Sequence, residues 1–145
     1  MKTYSFQDVQ AAIVGPGGAF NIGTGAGVAD EGITITAASE MSTMTIGADG
    51  LGMHTLHADR SGKITVRVLK TSPVNALLMA MLQFQRISAA NHGQNTITVT
   101  HTSLGDVTTA QMVAFSKVPD NAYAKNADIR EWNFDAIVVD FAPGK

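Results

Sequence analysis

His54, His57 and Asp59 place two imidazoles and a carboxylate within six residues, a donor set suited to a metal ion. A metal centre needs its donors to converge and to be held by outer hydrogen bonds. On a strand, positions three apart point to opposite faces; on a helix they share one. The flanking glycines and the lack of a helix signal put this segment on a strand or loop. The histidines then read as polar residues of a loop or contact segment. Gly23-Thr24-Gly25-Ala26-Gly27 is glycine-rich enough to wrap a phosphate. Such loops work by aiming the first amides of a helix at the anion, and no helix pattern follows here. His92, His101, Ser103 and Asp106 are the ingredients of a hydrolytic triad, but no nucleophile-elbow pattern holds them. The expectation is a chain with no catalytic residues, no metal site and no cofactor.

The elements around these residues are mostly strands. Residues 3–14 alternate loosely and lead into Gly15-Pro16-Gly17-Gly18, a strong turn signal, with a returning strand at 19–22. Residues 23–32 read as a glycine-rich loop. Alternation then marks strands at 33–36, 41–46, 53–58, 63–69, 96–101, 107–118 and 131–139. One helix is expected at about 73–91. Ser72 can accept from a first-turn amide, and Pro73 suits the first helical position. Val74, Leu77, Leu78, Met81 and Leu82 form its apolar stripe, with Asn75, Gln83 and Arg86 off it. Gly93 is placed to end it in the left-handed conformation. Trp132 and Phe134 read as core residues of the last strand. The fold class is therefore mainly β with one flanking helix, in a single domain.

Composition narrows the function. Of 145 residues, 45% are hydrophobic and 15% charged, well below the charge that keeps a monomer's surface apart from its neighbours. The net charge of −2 provides no basic footprint for gripping nucleic acid. Cysteine is absent, so no disulfide framework is expected. Met1 to Asp8 lack a leader's apolar core, and the apolar run from Ala76 to Leu82 is too short to span a bilayer. The chain is expected to fold in a cytoplasm, without a membrane anchor. Between Gly32 and Ala48 the only formal charge is Glu40, and between Gln94 and Ser116 it is Asp106. Strand edges in monomers are normally guarded by charge, proline or bulges. Edges this bare suit pairing with other subunits, or else a closed barrel.

Read in order, several runs form a specific set: Lys2-Thr3-Tyr4-Ser5-Phe6, Val14-Gly15-Pro16-Gly17-Gly18 and Thr45-Ile46-Gly47-Ala48-Asp49-Gly50. Asp8-Val9-Gln10, Gly52-Met53-His54, Leu69-Lys70-Thr71-Ser72-Pro73-Val74-Asn75, His92-Gly93-Gln94-Asn95-Thr96-Ile97 and Glu131-Trp132-Asn133-Phe134-Asp135 complete it. As a set they resemble the tail-tube proteins of contractile-tailed bacteriophages. The resemblance implies a β-sandwich or barrel-like subunit that forms rings, typically of six. The rings stack into a hollow tube in the virion tail, assembled in the host cytoplasm. It implies a sheath, a baseplate and a tail terminator as partners, and DNA that crosses the lumen without specific binding. Tubes of tailocins and of type VI secretion share the design. A monomeric ligand-binding β-domain is the alternative from another class.

Within that frame, residues 40–62 are expected to form an arm reaching a neighbouring subunit or ring. The contact candidates are Met41, Thr43, Met44, Thr45, Ile46, Asp49, Leu51, Met53, His54, Leu56 and His57. Asp30, Glu31 and Asp49 are the candidates for the lumen.

Overall fold

A computed structural model describes residues 4–23, 28–119 and 129–142, with side chains described for all of these except Phe6 and 28–31. Among the described residues the order is a 3-10 turn at Phe6–Asp8, β1 (Val9–Gly15), β2 (Gly18–Asn21), β3 (Val28–Ala37), β4 (Ser42–Ile46), β5 (Gly52–Leu56) and β6 (Gly62–Leu69). Then follow α1 (Val74–Ile87), a 3-10 turn at Ala89–Asn91, β7 (Asn95–His101), β8 (Asp106–Phe115) and β9 (Ile129–Ala142). Seven strands form one antiparallel sheet in the order β2-β1-β7-β8-β9-β6-β3, while β4 and β5 pair only with each other. Among the described residues the protein is mainly β with a single helix, and the sheet is open, with β2 and β3 at the edges.

Period-two alternation builds the core. Ile13, Ile64, Val66, Val68, Ile97, Val113, Trp132 and Phe134 all point to one sheet face and are buried. Val74, Leu78, Met81 and Leu82 of α1 join the same cluster. Trp132 meets Phe115 edge-on, with centroids 5.9 Å apart, and Phe115 lies 4.7 Å from Phe134. The β1–β2 turn packs on the helix: a Cβ on Gly17 would come within 3.2 Å of the Met81 Cα. An extra residue on β8 opposite β7 shifts the register between Asn95↔Val113 and Ile97↔Ala110. Met112 takes φ 55° at this bulge, which keeps both Ala110 and Val113 facing inward.

The helix departs from the stripe read in the sequence. Ser72 Oγ does accept from the Val74 amide at 3.2 Å. Leu77, however, is 48% exposed, while Asn75 and Gln85 are buried. Asn75 Nδ2 donates to the carbonyls of Leu69, Lys70 and Ser72, and its Oδ1 accepts from Trp132 Nε1 at 3.0 Å. Gln85 Oε1 accepts from the Phe115 amide at 2.9 Å, and its Nε2 donates to the Phe115 carbonyl. These two amides complete backbone groups at the ends of β6 and β8, so the helix turns them inward and Leu77 outward. The helix also stops a turn earlier than 91. Ser88 is extended and its hydroxyl accepts from Ala90, while Asn91 Nδ2 donates to the Phe84 carbonyl. Gly93 has φ 72° but lies beyond that end.

Strand limits also differ from the sequence reading: the strand expected over 3–14 begins at Val9, after the 3-10 turn at Phe6–Asp8, and the one expected at 53–58 ends at Leu56. The edge strand β3 starts at Val28, inside the segment expected to be a loop, and Gly32 at φ 62° carries its irregularity between Val28 and Ile33. The strand β8 stops at Phe115, and β9 continues to Ala142.

Candidate assembly surface

The strands β4 and β5 leave the body of the protein as a hairpin. Every residue of both is exposed. Their register pairs Ser42↔Leu56, Thr43↔Thr55, Met44↔His54, Thr45↔Met53 and Ile46↔Gly52. Met44, Ile46, His54 and Leu56 therefore share one face, and Thr43, Thr45 and Met53 the other. Six large apolar side chains, those of Met41, Met44, Ile46, Leu51, Met53 and Leu56, lie exposed on or beside the hairpin, up to 80% for Leu56. A cluster of this kind on a polar body is the mark of an interaction surface.

Both ends of the hairpin are ordered by hydrogen bonds. At the tip the Gly47 amide donates to the Leu51 carbonyl, Gly50 to Gly47, and the Leu51 amide to Asp49 Oδ1 at 3.1 Å. At the root the His57 amide donates to Met41 O, and Ala38 to Ser61 O. Asp59 accepts from the Ser39 hydroxyl at 2.8 Å and from the Ser61 amide at 2.9 Å. The Ser61 hydrogen bonds, side-chain first, then Ser39 and the nearby His57, hold the Asp59 carboxyl down at about 2, against a usual value of 3.8. A folded-state value below the unfolded one contributes stability above the unfolded value, lost as pH falls through 3.8 towards 2. We expect the protection of the Ser61 and Ala38 amides, measured against the intrinsic exchange rate at each pH, to fall over that window. In Asp59→Asn that protection should be lower already at neutral pH and should not change with the acidification.

Between the hairpin root and the end of β9 lies a cleft of about 500 Å³. Ala37, Met41, Leu56, Val139 and Phe141 line it, and Arg60, ion-paired with Asp140, stands at its rim.

The sheet face away from the helix carries Thr34 and Thr36 of β3 next to Thr65 of β6 and, across the sheet, Thr98 of β7 next to Thr109 of β8. Its cations are paired: Lys63 with Asp135 at 3.7 Å, and Arg67 with Glu131 at 3.6 Å. Arg67 also donates to Thr34 Oγ1 at 2.9 Å.

The residues weighed for chemistry are dispersed. His54 stands on the Met44 face of the hairpin, whereas His57 Nε2 meets Thr43 Oγ1 on the other at 3.2 Å. His101 is buried; its Nδ1 accepts from the Leu104 amide, and its ring stacks on Tyr4 at 5.0 Å. Ser103 donates its proton to Asp8 Oδ2 at 2.7 Å rather than to a histidine. Of the glycine run, residues 24–27 lie outside the described residues, as do the side chains of Asp30 and Glu31. Among the described residues no three metal-binding side chains gather, and no helix is long and apolar enough to cross a membrane. The sequence reading missed Asn75, Gln85 and the cleft.

The family of the bacteriophage PhiTE tail tube protein matches this chain over residues 1–144. The fold is similar to a chain of the tail of an empty GTA particle determined with C6 symmetry: TM-score 0.63, 13% identity, covering 97% of this chain and 99% of that one. It is also similar to a chain of the six-fold symmetrised baseplate of the anti-feeding prophage: TM-score 0.53, 12% identity, covering 98% and 93%. No curated protein matches in sequence.

Proposed function

We propose that this chain, which belongs to the bacteriophage PhiTE tail tube protein family, builds six-membered rings that stack into a hollow DNA conduit. Family membership makes it a structural protein of a phage tail tube. The observation that carries the finer reading is the wholly exposed apolar hairpin on a chain with two open sheet edges. Isolated, such a surface invites aggregation; repeated in a polymer, it is covered. The six-fold symmetry of both similar assemblies suits the ring number.

In this reading β2 and β3 meet neighbouring copies within a ring, and the hairpin reaches between rings. The threonine face, with its cations already neutralised, suits a wall along which DNA slides without sticking. Asp30 and Glu31, on the edge strand β3, are the lumen candidates, and Asp49 goes to the hairpin contact. A sheath, a baseplate and a terminator complete the particle, which assembles in the host cytoplasm.

Negative-stain microscopy of concentrated protein tests the reading directly. Rings or tubes are the expected result; uniform small particles that never polymerise, even with baseplate present, would sink it. Deleting residues 47–52 removes only exposed hairpin tip. The deleted form should keep its melting temperature to within a few degrees, because no core contact is lost, and should fail to lengthen into tubes.

A further inference from the structure

We propose that Met41, Met44 and Met53 form a peroxide-sensitive modification site, and that their conversion to sulfoxides bars a free subunit from the tube. The inference rests on the hairpin being an assembly surface and adds the chemistry that closes that surface.

The chain has no cysteine, so its thioethers are the side chains that a peroxide attacks first. Of seven methionines, these three sit on or beside one hairpin and are 59–77% exposed. Met81 is buried in the core, and Met79 packs against it with its sulfur facing the Gln83 amide. Met112 is half exposed but belongs to β8 rather than to the hairpin. The sole tryptophan, Trp132, is buried. Exposure therefore aims the reaction at the hairpin. A sulfur lone pair attacks one oxygen of a hydroperoxide; the S–O bond forms as the O–O bond breaks. The departing oxygen takes a proton and leaves as water or an alcohol. The thioether is oxidised by two electrons and the peroxide reduced by two.

The product is polar where the thioether was apolar. Cross-strand register puts Met44 beside His54 on one face and Met53 beside Thr45 on the other. Whichever face a neighbour covers, a sulfoxide lies in the contact. Burying that oxygen is costly unless a donor meets it. The hairpin itself keeps its shape, because its ladder and its tip are held by bonds that involve no sulfur. None of the three side chains belongs to the core cluster, so the body of the protein is untouched.

Mild hydrogen peroxide on the free protein, followed by peptide mass mapping, tests this. Met41, Met44 and Met53 should gain oxygen at least about tenfold faster than Met81, with the thermal transition unmoved. Tube formation should fall by about tenfold or more, and the two methionine sulfoxide reductases, one for each epimer, should restore it. Tubes assembled before the peroxide is added should keep these methionines reduced. Replacing all three with leucine (Met41→Leu, Met44→Leu and Met53→Leu) preserves the apolar surface, and this variant should assemble equally well with and without peroxide. Met112→Leu should remain as sensitive as the parent. Met44→Gln with Met53→Gln should imitate the oxidised form with no peroxide present. Oxidised protein that assembles like the untreated, or a leucine variant as sensitive as the parent, would overturn the site and leave the tube standing. Untreated protein that never forms tubes would overturn both.

Discussion

Replacing Asn75 with alanine should lower the unfolding free energy by about 3–5 kcal/mol, a large share of the ~5–15 kcal/mol that holds a domain of this size together. The side chain is buried and joins four partners at the junction of β6 and α1. Three are carbonyls where β6 gives way to α1, and the fourth is the indole N–H of Trp132. Alanine leaves the buried Trp132 indole N–H without its acceptor, at about 1–3 kcal/mol, and takes a hydrogen bond each from the carbonyls, of which those of Leu69 and Ser72 keep a backbone amide, at about 0.5–1.5 kcal/mol apiece. Leucine at the same place should be no better, because the loss lies in pairing rather than in volume. Trp132 is the sole tryptophan, so its emission reports the indole environment directly. Denaturant titration followed by that emission checks the prediction. A midpoint unchanged within error would show that the carbonyls find other partners. Trp132→Ala should cost a comparable ~3–5 kcal/mol, through the cavity left beside Phe115 and Phe134.

The reason Asn75 escapes a reading of the sequence is also the reason it matters. Strand alternation reports burial well, since each strand exposes one face and Ile64, Val66 and Val68 fall on the same side by spacing alone. A helix stripe is judged by apolar residues, so a polar side chain at a core position is assigned to solvent. Leu77 is exposed and Asn75 buried because Asn75 ties the Trp132 indole N–H to the carbonyls where β6 gives way to α1. Strand order was equally hidden. The pairing of β1 with β7 and of β6 with β9 joins strands far apart in the chain, and spacing along the chain carries no trace of it. The hairpin was legible for the opposite reason. Threonine and methionine alternate around Gly47–Gly52 with hardly any charge, a pattern that depends on no distant contact. The cleft draws on Ala37, Leu56 and Phe141, three distant parts of the chain, and could be seen only once folded.

Substituting serine at Met44, Ile46, Leu51 and Leu56 together should abolish polymerisation while leaving the fold intact. All four side chains are at least half exposed, and none belongs to the core cluster, so their removal leaves no cavity. The thermal transition should move by no more than a few degrees. In an assembled tube the same side chains would be covered, and each large aliphatic taken out of water contributes about 1.5–3 kcal/mol. Losing four from every copy removes more free energy than a typical subunit contact holds in reserve, and the loss repeats at each level of the stack. Sedimentation should find the variant monomeric at concentrations where the parent forms rings or tubes. Its solubility should rise, since an exposed apolar hairpin is itself an aggregation hazard. The paired control is Leu77→Ser with Ile87→Ser on the helix, which removes exposed apolar area away from the hairpin. If that control blocked assembly as completely as the hairpin variant, the contact surface would lie on the helix, and general loss of surface hydrophobicity would explain both.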